Sequence, residues 1–157
     1  KCLKNKDKRK DVNMSKKFIL TGLMATVVNL LLNAGSYFLF LKDVFEAHPP
    51  ISAEFQKQLV RPSNQLIGWA MVVTSLTMGF FIATVIKWSG ARTFVSGLKN
   101  GFVVAFLFWT SINFGLYASS NHFSLTGVFA DLAGSITAMT ISAATAAWTL
   151  GRGNRNG

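Results

Sequence analysis

The chain has 157 residues, of which 50% are hydrophobic and only 14% are charged. A soluble domain usually carries about a quarter of charged residues, and a soluble all-helical bundle would need polar helix faces that the long apolar blocks of this chain lack. The net charge of +10 does not indicate a nucleic-acid-binding protein either, because half of the 16 basic residues precede the first apolar block and no aromatic residue lies among them.

Four apolar blocks are each long enough to cross a membrane as a helix, which takes about 20 residues. No block alternates as a barrel strand does, so helices are the expected way to satisfy the backbone in lipid. We predict an all-α polytopic membrane protein, an up-down bundle of four transmembrane helices at about 18–41, 65–86, 97–118 and 123–150. The membrane domain is thus 18–150, between a basic tail at 1–17 and a short tail at 151–157.

The amino end contains Met14 followed by SKKFIL, which is typical of a bacterial start, so we expect residues 1–13 to be an upstream extension. The first block exceeds the core of a signal peptide, which has about 7–15 apolar residues, and we expect it to be an uncleaved span. The single cysteine, Cys2, leaves no partner for an internal disulfide.

The charges of the connecting segments predict the orientation in the membrane. Basic residues dominate the amino tail, the carboxyl tail and the turn between the second and third spans, whereas acids balance them in the first loop at 42–64. This positive-inside pattern predicts that both termini are cytoplasmic. Interfacial aromatic residues agree, with Trp88 and Trp148 at the cytoplasmic edges and Tyr37 and Tyr117 near the outer ends.

The first loop contains HPPISAEFQKQLVRPSN, in which prolines delimit a possible helix. Apolar residues recur every four positions at Ile51, Phe55 and Leu59, and Ser52 can cap the start. We predict a short amphipathic helix on the outer membrane face. It would either cover the backbone of the loop or form a lid over a site beneath.

Polar side chains inside the spans are the candidate site. At about 1.5 Å per residue, three of them, Asn33, Asn113 and Asp131, lie roughly 7–12 Å below the outer surface and can converge in the bundle interior. A fourth, Asn29, shares a helix face with Asn33. The candidate ligand- or ion-binding residues are Asp131, Asn33, Asn113 and Asn29.

Two interpretations of Asp131 stay open. A carboxylate facing lipid costs about 2.5–3.5 kcal/mol on insertion scales, so Asp131 should point inward with Asn33 or Asn113 as hydrogen-bond donors, or be protonated. It is then either a proton- or ligand-binding acid, or one of several interhelical hydrogen-bonding groups, each typically worth about 0.6 kcal/mol.

Small residues in the last two spans predict close helix packing. Gly97 and Gly101 form a GxxxG motif at the start of the third span, and Ala130, Gly134 and Ala138 form a ridge beside Asp131. Such motifs let helices approach closely. We expect packing within the bundle rather than a dimer interface.

The sequence does not support a haem, zinc, nucleotide-binding or serine-triad site. The two histidines, His48 and His122, lie at loops or helix edges, which excludes a haem held by two mid-membrane histidines, and the lone cysteine makes structural zinc improbable. No dinucleotide or P-loop fingerprint is present. A triad of Ser119 or Ser120 with His122 and Asp131 carries little weight, because serines are common here. We therefore predict no catalytic residue, no metal and no cofactor.

The layout combines a long first loop, GLKNG at the start of the third span, an asparagine near its end, and FSL followed by an acid leading into the fourth span. In this it resembles small four-helix bacterial inner-membrane proteins of uncharacterised function. The resemblance covers residues 16–150 and implies the fold and the bacterial inner membrane, but no activity.

The expected function is that of a non-catalytic accessory, scaffold or assembly subunit. Its partners would be the lipid bilayer and either further copies of the chain or a larger membrane complex, and not nucleic acid. The alternative is a small oligomeric transporter or channel that uses Asp131 as a coupling acid. A membrane enzyme acting on lipid is a more distant alternative.

Overall fold

The computed structural model of the chain describes residues 2–59, 61–62, 65–121 and 123–152, and the side chains of 2–15, 53, 56 and 57 lie outside that description. Within it every regular element is helical. The elements are α1 (Cys2–Ser36), a π-helical turn (Tyr37–Leu41), α2 (Lys42–Ala47), α3 (Ala53–Leu59), α4 (Gly68–Trp88), α5 (Phe94–Ser119) and α6 (Leu125–Gly151).

Four helical stretches are long and apolar enough to cross a membrane, which confirms the prediction of an all-helical chain with four such helices. They are Lys16–Ala47, Gly68–Trp88, Phe94–Ser119 and Leu125–Gly151. The chain is therefore a helical membrane protein built as a bundle.

The first span is longer than the 18–41 of the sequence prediction, because the helix continues through the π-helical turn into α2. The added segment KDVFEA contains no proline or glycine, and Lys42 Nζ lies 3.8 Å from Glu46 Oε1 one turn later. The helix stops at Ala47, just before the two consecutive prolines that disfavour helix in the preceding residue. The first loop is correspondingly shorter than predicted.

The π-helical turn changes which residues of the first span face the bundle. In a π-helix each N–H bonds to the carbonyl five residues earlier, as the Lys42 N–H does to the Tyr37 carbonyl, so residues five apart lie on nearly the same side. Ser36 and Leu41 are five apart, and both contact Gly134 of α6. In a regular α-helix their directions would differ by about 140°, and Leu41 could not be buried there.

The first loop contains α3, whose start receives a hydrogen bond from the Phe55 N–H to the Ser52 Oγ at 3.4 Å. A helix therefore exists where the sequence predicted one. Its amphipathic placement on the membrane surface stays a prediction.

Side-chain caps define the starts of α5 and α6. Thr93 Oγ1 accepts a hydrogen bond from the Ser96 N–H at 3.1 Å, and Ser96 Oγ accepts one from the Thr93 N–H, which is a capping box. Ser124 Oγ accepts from the Gly127 N–H at 3.2 Å. The tight turn between α4 and α5 uses Gly90, whose φ of 71° suits glycine.

Helix α6 lies at the centre of the bundle, in contact with α1, α4 and α5. In its most apolar stretch 56% of the residues are buried, against 17–22% in the other three spans. Small side chains make this possible, because alanine, glycine and serine allow three neighbouring helices to approach one helix at once.

The interface between α5 and α6 is the closest in the bundle. A Cβ built on Gly97 would lie 2.6 Å from the Ala147 Cβ and 2.7 Å from the Ala144 Cα, and one on Gly101 would overlap the Ala143 Cβ. The two helices run antiparallel, since four residues forward in α5 correspond to four backward in α6. The GxxxG motif thus packs within the bundle, as expected.

Helices α1 and α4 make a second close antiparallel pair. A Cβ on Gly79 would overlap the Thr26 side chain, and the Phe18 and Phe80 rings lie 6.0 Å apart. The buried core that joins this pair to α5 and α6 contains Ile82 and Met139. All four buried residues of α4 lie in its carboxyl-terminal half, at Gly79, Ile82, Ala83 and Ile86.

Candidate functional site

Asp131 is half-buried and lies on the side of α6 that faces the first span. Its neighbours one turn away fix this direction: a Cβ on Gly127 would lie 3.2 Å from the Phe45 ring, and one on Gly134 would lie 3.4 Å from both Phe40 and Ser36. At about 100° per residue, Asp131 points within roughly 60° of both glycines. The acid therefore lies along the contact between α6 and the carboxyl-terminal part of the first span.

Asn29 and Asn33 lie on the opposing side of that same contact. Asn33 precedes Ser36 by one turn and Asn29 precedes it by two, and Ser36 contacts Gly134 of α6. Both asparagines are half-buried. The structure therefore brings Asn29, Asn33 and Asp131 to one helix–helix contact.

The depths of these residues differ. Ser36, Phe40 and Leu41 all contact Gly134, which sets one level along both helices. Because the two helices run in opposite directions, Asn33, which precedes Ser36, lies beside residues of α6 that follow Gly134. Asp131 precedes Gly134 by three residues and lies on the other side of that level. At 1.5 Å per residue the two levels are on the order of 10 Å apart. The structure thus places Asn33 deeper in the bundle than Asp131, partly because the first span extends to Ala47.

Asn113 lies at nearly the depth of Asp131 but at a different contact. Its neighbour Phe114 has its ring 6.1 Å from that of Phe129, which sets the level. Asn113 is only 1% exposed, and α5 packs mainly against α6, so Asn113 is buried at the contact of these two helices. Asp131 lies roughly 180° around α6 from Thr140, which contacts Gly101. The structure therefore does not bring Asn113 and Asp131 together.

The amide groups bond within their own helices. Asn33 Nδ2 donates to the Asn29 carbonyl at 2.8 Å, and Asn113 Nδ2 donates to the Trp109 carbonyl at 3.2 Å. Among the described residues, the Asp131 carboxylate accepts no hydrogen bond and forms no ion pair. The expected amide donors to the acid thus have other acceptors.

Additional serines extend the polar contact between the first span and α6. Ser135 and Ser142 are buried on α6, where Ser135 follows Asp131 by four residues and Ser142 follows Ser135 by seven. Ser36 lies opposite them on the first span. The sequence analysis did not select them, although their helical spacing was a usable signal. We call this set the polar seam: Asn29, Asn33 and Ser36 of α1, and Asp131, Ser135 and Ser142 of α6.

A second polar group, also missed, lies on α5. The Trp109 Nε1, Thr110 Oγ1 and Asn113 Oδ1 atoms are buried and have no hydrogen-bond partner among the described residues, and the same holds for Thr140 Oγ1 of α6. Trp109 was not among the residues that the sequence analysis selected. Its spacing of four from Asn113 places both on one helix face, which is the signal that could have found the group. Buried groups without partners cost about 1–3 kcal/mol each.

Two cavities are associated with the spans. One, of about 10 Å³, lies in the core between α4, α5 and α6 and touches Ile82, Gly101 and Met139. The other, of about 320 Å³, lies beside the amino-terminal half of α4, outside the core. Neither is lined by Asp131 or by any asparagine of the candidate set.

The geometry does not support the hypothetical triad of a serine, His122 and Asp131. Ser119 Oγ donates to the Gly115 carbonyl and Ser120 Oγ to the Leu116 carbonyl, each at 2.8 Å. His122, its third member, lies outside the described residues. Across the part of the chain that the structure describes, no three histidine, cysteine, aspartate or glutamate side chains are grouped as metal ligands would be.

Comparison with protein-family models, curated proteins and solved structures finds no match to this chain. Fold and geometry define it as a helical membrane protein whose central helix carries a half-buried acid with no partner among the described residues. Its function has to follow from the geometry of the bundle itself.

Proposed function

We propose that this chain is a non-catalytic membrane subunit that acts as an accessory, scaffold or assembly partner. The observation that supports this most is the filled interior of the bundle. Small residues of α6 close the contacts with three helices, and the core cavity of about 10 Å³ is no larger than the space one water needs. A bundle with so little interior space fits a structural role within a membrane assembly.

Asp131 gives the proposed subunit a point of attachment. The carboxylate is half-buried within a span and has no partner in the described chain, and lipid is an unfavourable environment for it. A donor from a neighbouring transmembrane helix would remove that cost. Assembly with a partner helix therefore fits the acid better than exposure to lipid does.

We propose that both termini lie on the cytoplasmic side of a bacterial inner membrane, and the distribution of charge between the two ends of the bundle supports this orientation. Lys87 Nζ lies 5.0 Å from the Phe18 ring, and Gly151 packs against the Arg92 carbonyl, so the start of α1, the α4–α5 turn and the end of α6 share one end. Described basic residues at this end are Lys16, Lys17, Lys87, Arg92, Lys99 and Arg152. At the opposite end the described acids Asp43, Glu46 and Glu54 offset the basic residues Lys42 and Arg61.

Cysteine labelling tests the orientation. In intact spheroplasts, an impermeant maleimide should label the Asn121→Cys variant in a Cys2→Ser background, because Asn121 is exposed in the short turn between α5 and α6. The unmodified chain, with Cys2 alone, should be labelled only after the membrane is opened. The reverse pattern would place the termini outside.

Native purification tests the assembly function. The full chain, extracted from its own membranes in mild detergent, should migrate in a complex of fixed stoichiometry in native mass spectrometry. Asp131→Asn should reduce the yield of that complex, whereas Thr137→Val, which removes an exposed hydroxyl from the same helix, should not. A wild-type chain that always emerges as a free monomer would contradict the proposal.

The second candidate function is a small oligomeric transporter or channel, and the partnerless Asp131 is the observation that favours it. The core cavity of about 10 Å³ is too small for a transport path, so several copies would have to form one. Reconstituted vesicles with and without Asp131→Asn provide the test. An ion or proton flux that the variant abolishes, with unchanged folding, would support transport, and unchanged flux would remove it.

A further inference from the structure

The cavity of about 320 Å³ beside α4 combines a cation, hydroxyl groups and an apolar wall. It is independent of Asp131 and of the proposed assembly function. We call it the α4 groove and define it by its lining residues: Arg61, Ile67, Ala70, Met71, Thr74 and Ser75.

The groove exists because the amino-terminal half of α4 stands away from the bundle. Every buried residue of α4 lies between Gly79 and Ile86, whereas Trp69 is 73% exposed and Val72 is 57% exposed. Arg61 of the preceding loop lines the groove beside this free half. Next to it, the Gln65 N–H donates to the Pro62 carbonyl at 2.8 Å.

The polar groups of the groove are available to a ligand. Arg61 forms no ion pair with a described residue, and the Ser75 hydroxyl has no hydrogen-bond partner among them. Thr74 Oγ1 donates to the Ala70 carbonyl at 2.9 Å, which leaves its lone pairs free. The groove thus offers a guanidinium at one end and two hydroxyls farther along.

The apolar part of the wall comes from Ile67, Ala70 and Met71, which lie along one side of the helix start. An anionic group at Arg61 with an apolar chain along this wall would satisfy both kinds of surface. Guanidinium groups bind phosphate with two parallel hydrogen bonds, which makes arginine the usual choice for phosphate recognition.

We propose that the α4 groove binds an anionic phospholipid, with its phosphate on Arg61 and an acyl chain along Ile67 and Met71. The exposed Arg61 guanidinium beside an apolar wall favours a ligand that has both an anionic group and an apolar chain over a partner helix that is apolar throughout. The groove volume of about 320 Å³ lies in the usual range for small-molecule sites.

Native mass spectrometry of the full chain, released from nanodiscs of equal phosphatidylglycerol and phosphatidylcholine, tests the proposal. The unmodified chain should retain phosphatidylglycerol in preference to phosphatidylcholine. Arg61→Gln should reduce that retention about tenfold, because it removes a charge-assisted bond to phosphate. Lys42→Gln makes the same change of charge outside the groove, where Lys42 pairs with Glu46, and should have little effect.

A second pair of variants tests the apolar wall without changing any charge. Ala70→Leu fills the groove and should reduce retention of the lipid, whereas Val72→Leu on the exposed side of the same helix should not. Glycerol phosphate, which has the head group but no acyl chain, should not displace the bound lipid. Thermal unfolding of each variant in detergent identifies any that fail to fold.

Three results would overturn the proposal. They are equal retention of the two lipids by the unmodified chain, equal losses in Arg61→Gln and Lys42→Gln, and unchanged retention in a folded Ala70→Leu variant. Loss of lipid selectivity in Arg61→Gln with the native assembly intact would separate this site from the proposed assembly function, which depends on Asp131.

Discussion

The contact between α5 and α6 and the amino-terminal half of α4 represent two ways in which this chain uses an apolar helix. Gly97 and Gly101 bring α5 so close to α6 that no Cβ fits between them. The first half of α4 buries no residue and borders the α4 groove. The apolar residues of the two segments are equally suited to lipid, so composition alone does not distinguish them.

This difference indicates a division within the bundle. The end that contains the α4–α5 turn is held by close backbone contacts, whereas the opposite end borders the larger cavity. Without a hydrophobic driving force between helices in lipid, stability depends on such packing. The closely packed end should therefore set the stability, and the other end is where binding can occur.

The largest expected effect comes from Gly97→Ala. The added Cβ would lie 2.7 Å from the Ala144 Cα and 2.8 Å from the Ala143 carbonyl oxygen, and backbone atoms cannot turn away. We expect the free energy of unfolding to fall by about 1–3 kcal/mol. Circular dichroism during titration with a denaturing detergent measures it.

Gly115→Ala is the matched control on the same helix, because nothing lies within 4 Å of the added Cβ. Alanine is the better helix former by about 1 kcal/mol, so this variant should be unchanged or slightly more stable. Equal losses in both variants would mean that the α5–α6 contact is not the source of stability.

Asn113→Leu should raise the free energy of unfolding by about 1 kcal/mol. The change removes the buried Oδ1 atom that lacks a partner, which outweighs the single hydrogen bond from Nδ2 to the Trp109 carbonyl. The same titration measures it, with Gly115→Ala as reference. A loss of stability would indicate that the amide oxygen has an acceptor role, for example toward a bound water.

Gly134→Ala should change stability by less than about 1 kcal/mol, although it too lies at a helix contact. Its added Cβ would meet Phe40 and Ser36 at 3.4 Å and Leu41 at 3.5 Å, close to ordinary contact distances. Gly134→Leu is the bulky control and should be clearly destabilising. If Gly134→Ala and Gly97→Ala were equally harmful, the two ends of the bundle would be packed alike.

The smallest expected effect is the coupling between Asp131 and Asn33. Since the two residues lie at different depths and share no hydrogen bond, the losses from Asp131→Ala and Asn33→Ala should add to within about 0.5 kcal/mol in a double-mutant cycle. A larger coupling energy would show that the acid and the amide interact directly, and would favour the hydrogen-bonding interpretation of Asp131.

Much of the fold could be predicted from the sequence because lipid imposes simple rules. Long apolar blocks must be helices, and their number and approximate bounds follow from composition. Helix ends were less predictable: the extension of the first span to Ala47 depends on a π-helical turn at Tyr37–Leu41, which carries no sequence signal that we recognised.

The candidate site could be predicted only in part. Sequence spacing placed Asn29 and Asn33 on one face, and the structure sets that face against the side of α6 that carries Asp131. Asn113 is at nearly the same depth as Asp131 but on another side of α6, which depth along separate helices cannot reveal. The Arg61 side of the α4 groove was also beyond sequence analysis, because it depends on how the loop lies beside α4.

The sequence by itself determined that this chain is helical, that four of its helices are long and apolar enough for a membrane, and where its polar residues lie along each one. These follow from hydrophobicity and from the periodicity of a single helix. Only the tertiary structure decided that α6 is central, that α4 is half free, and which polar residues meet. Those outcomes depend on how glycine and alanine surfaces of different helices fit together, and that fit is a property of pairs of helices.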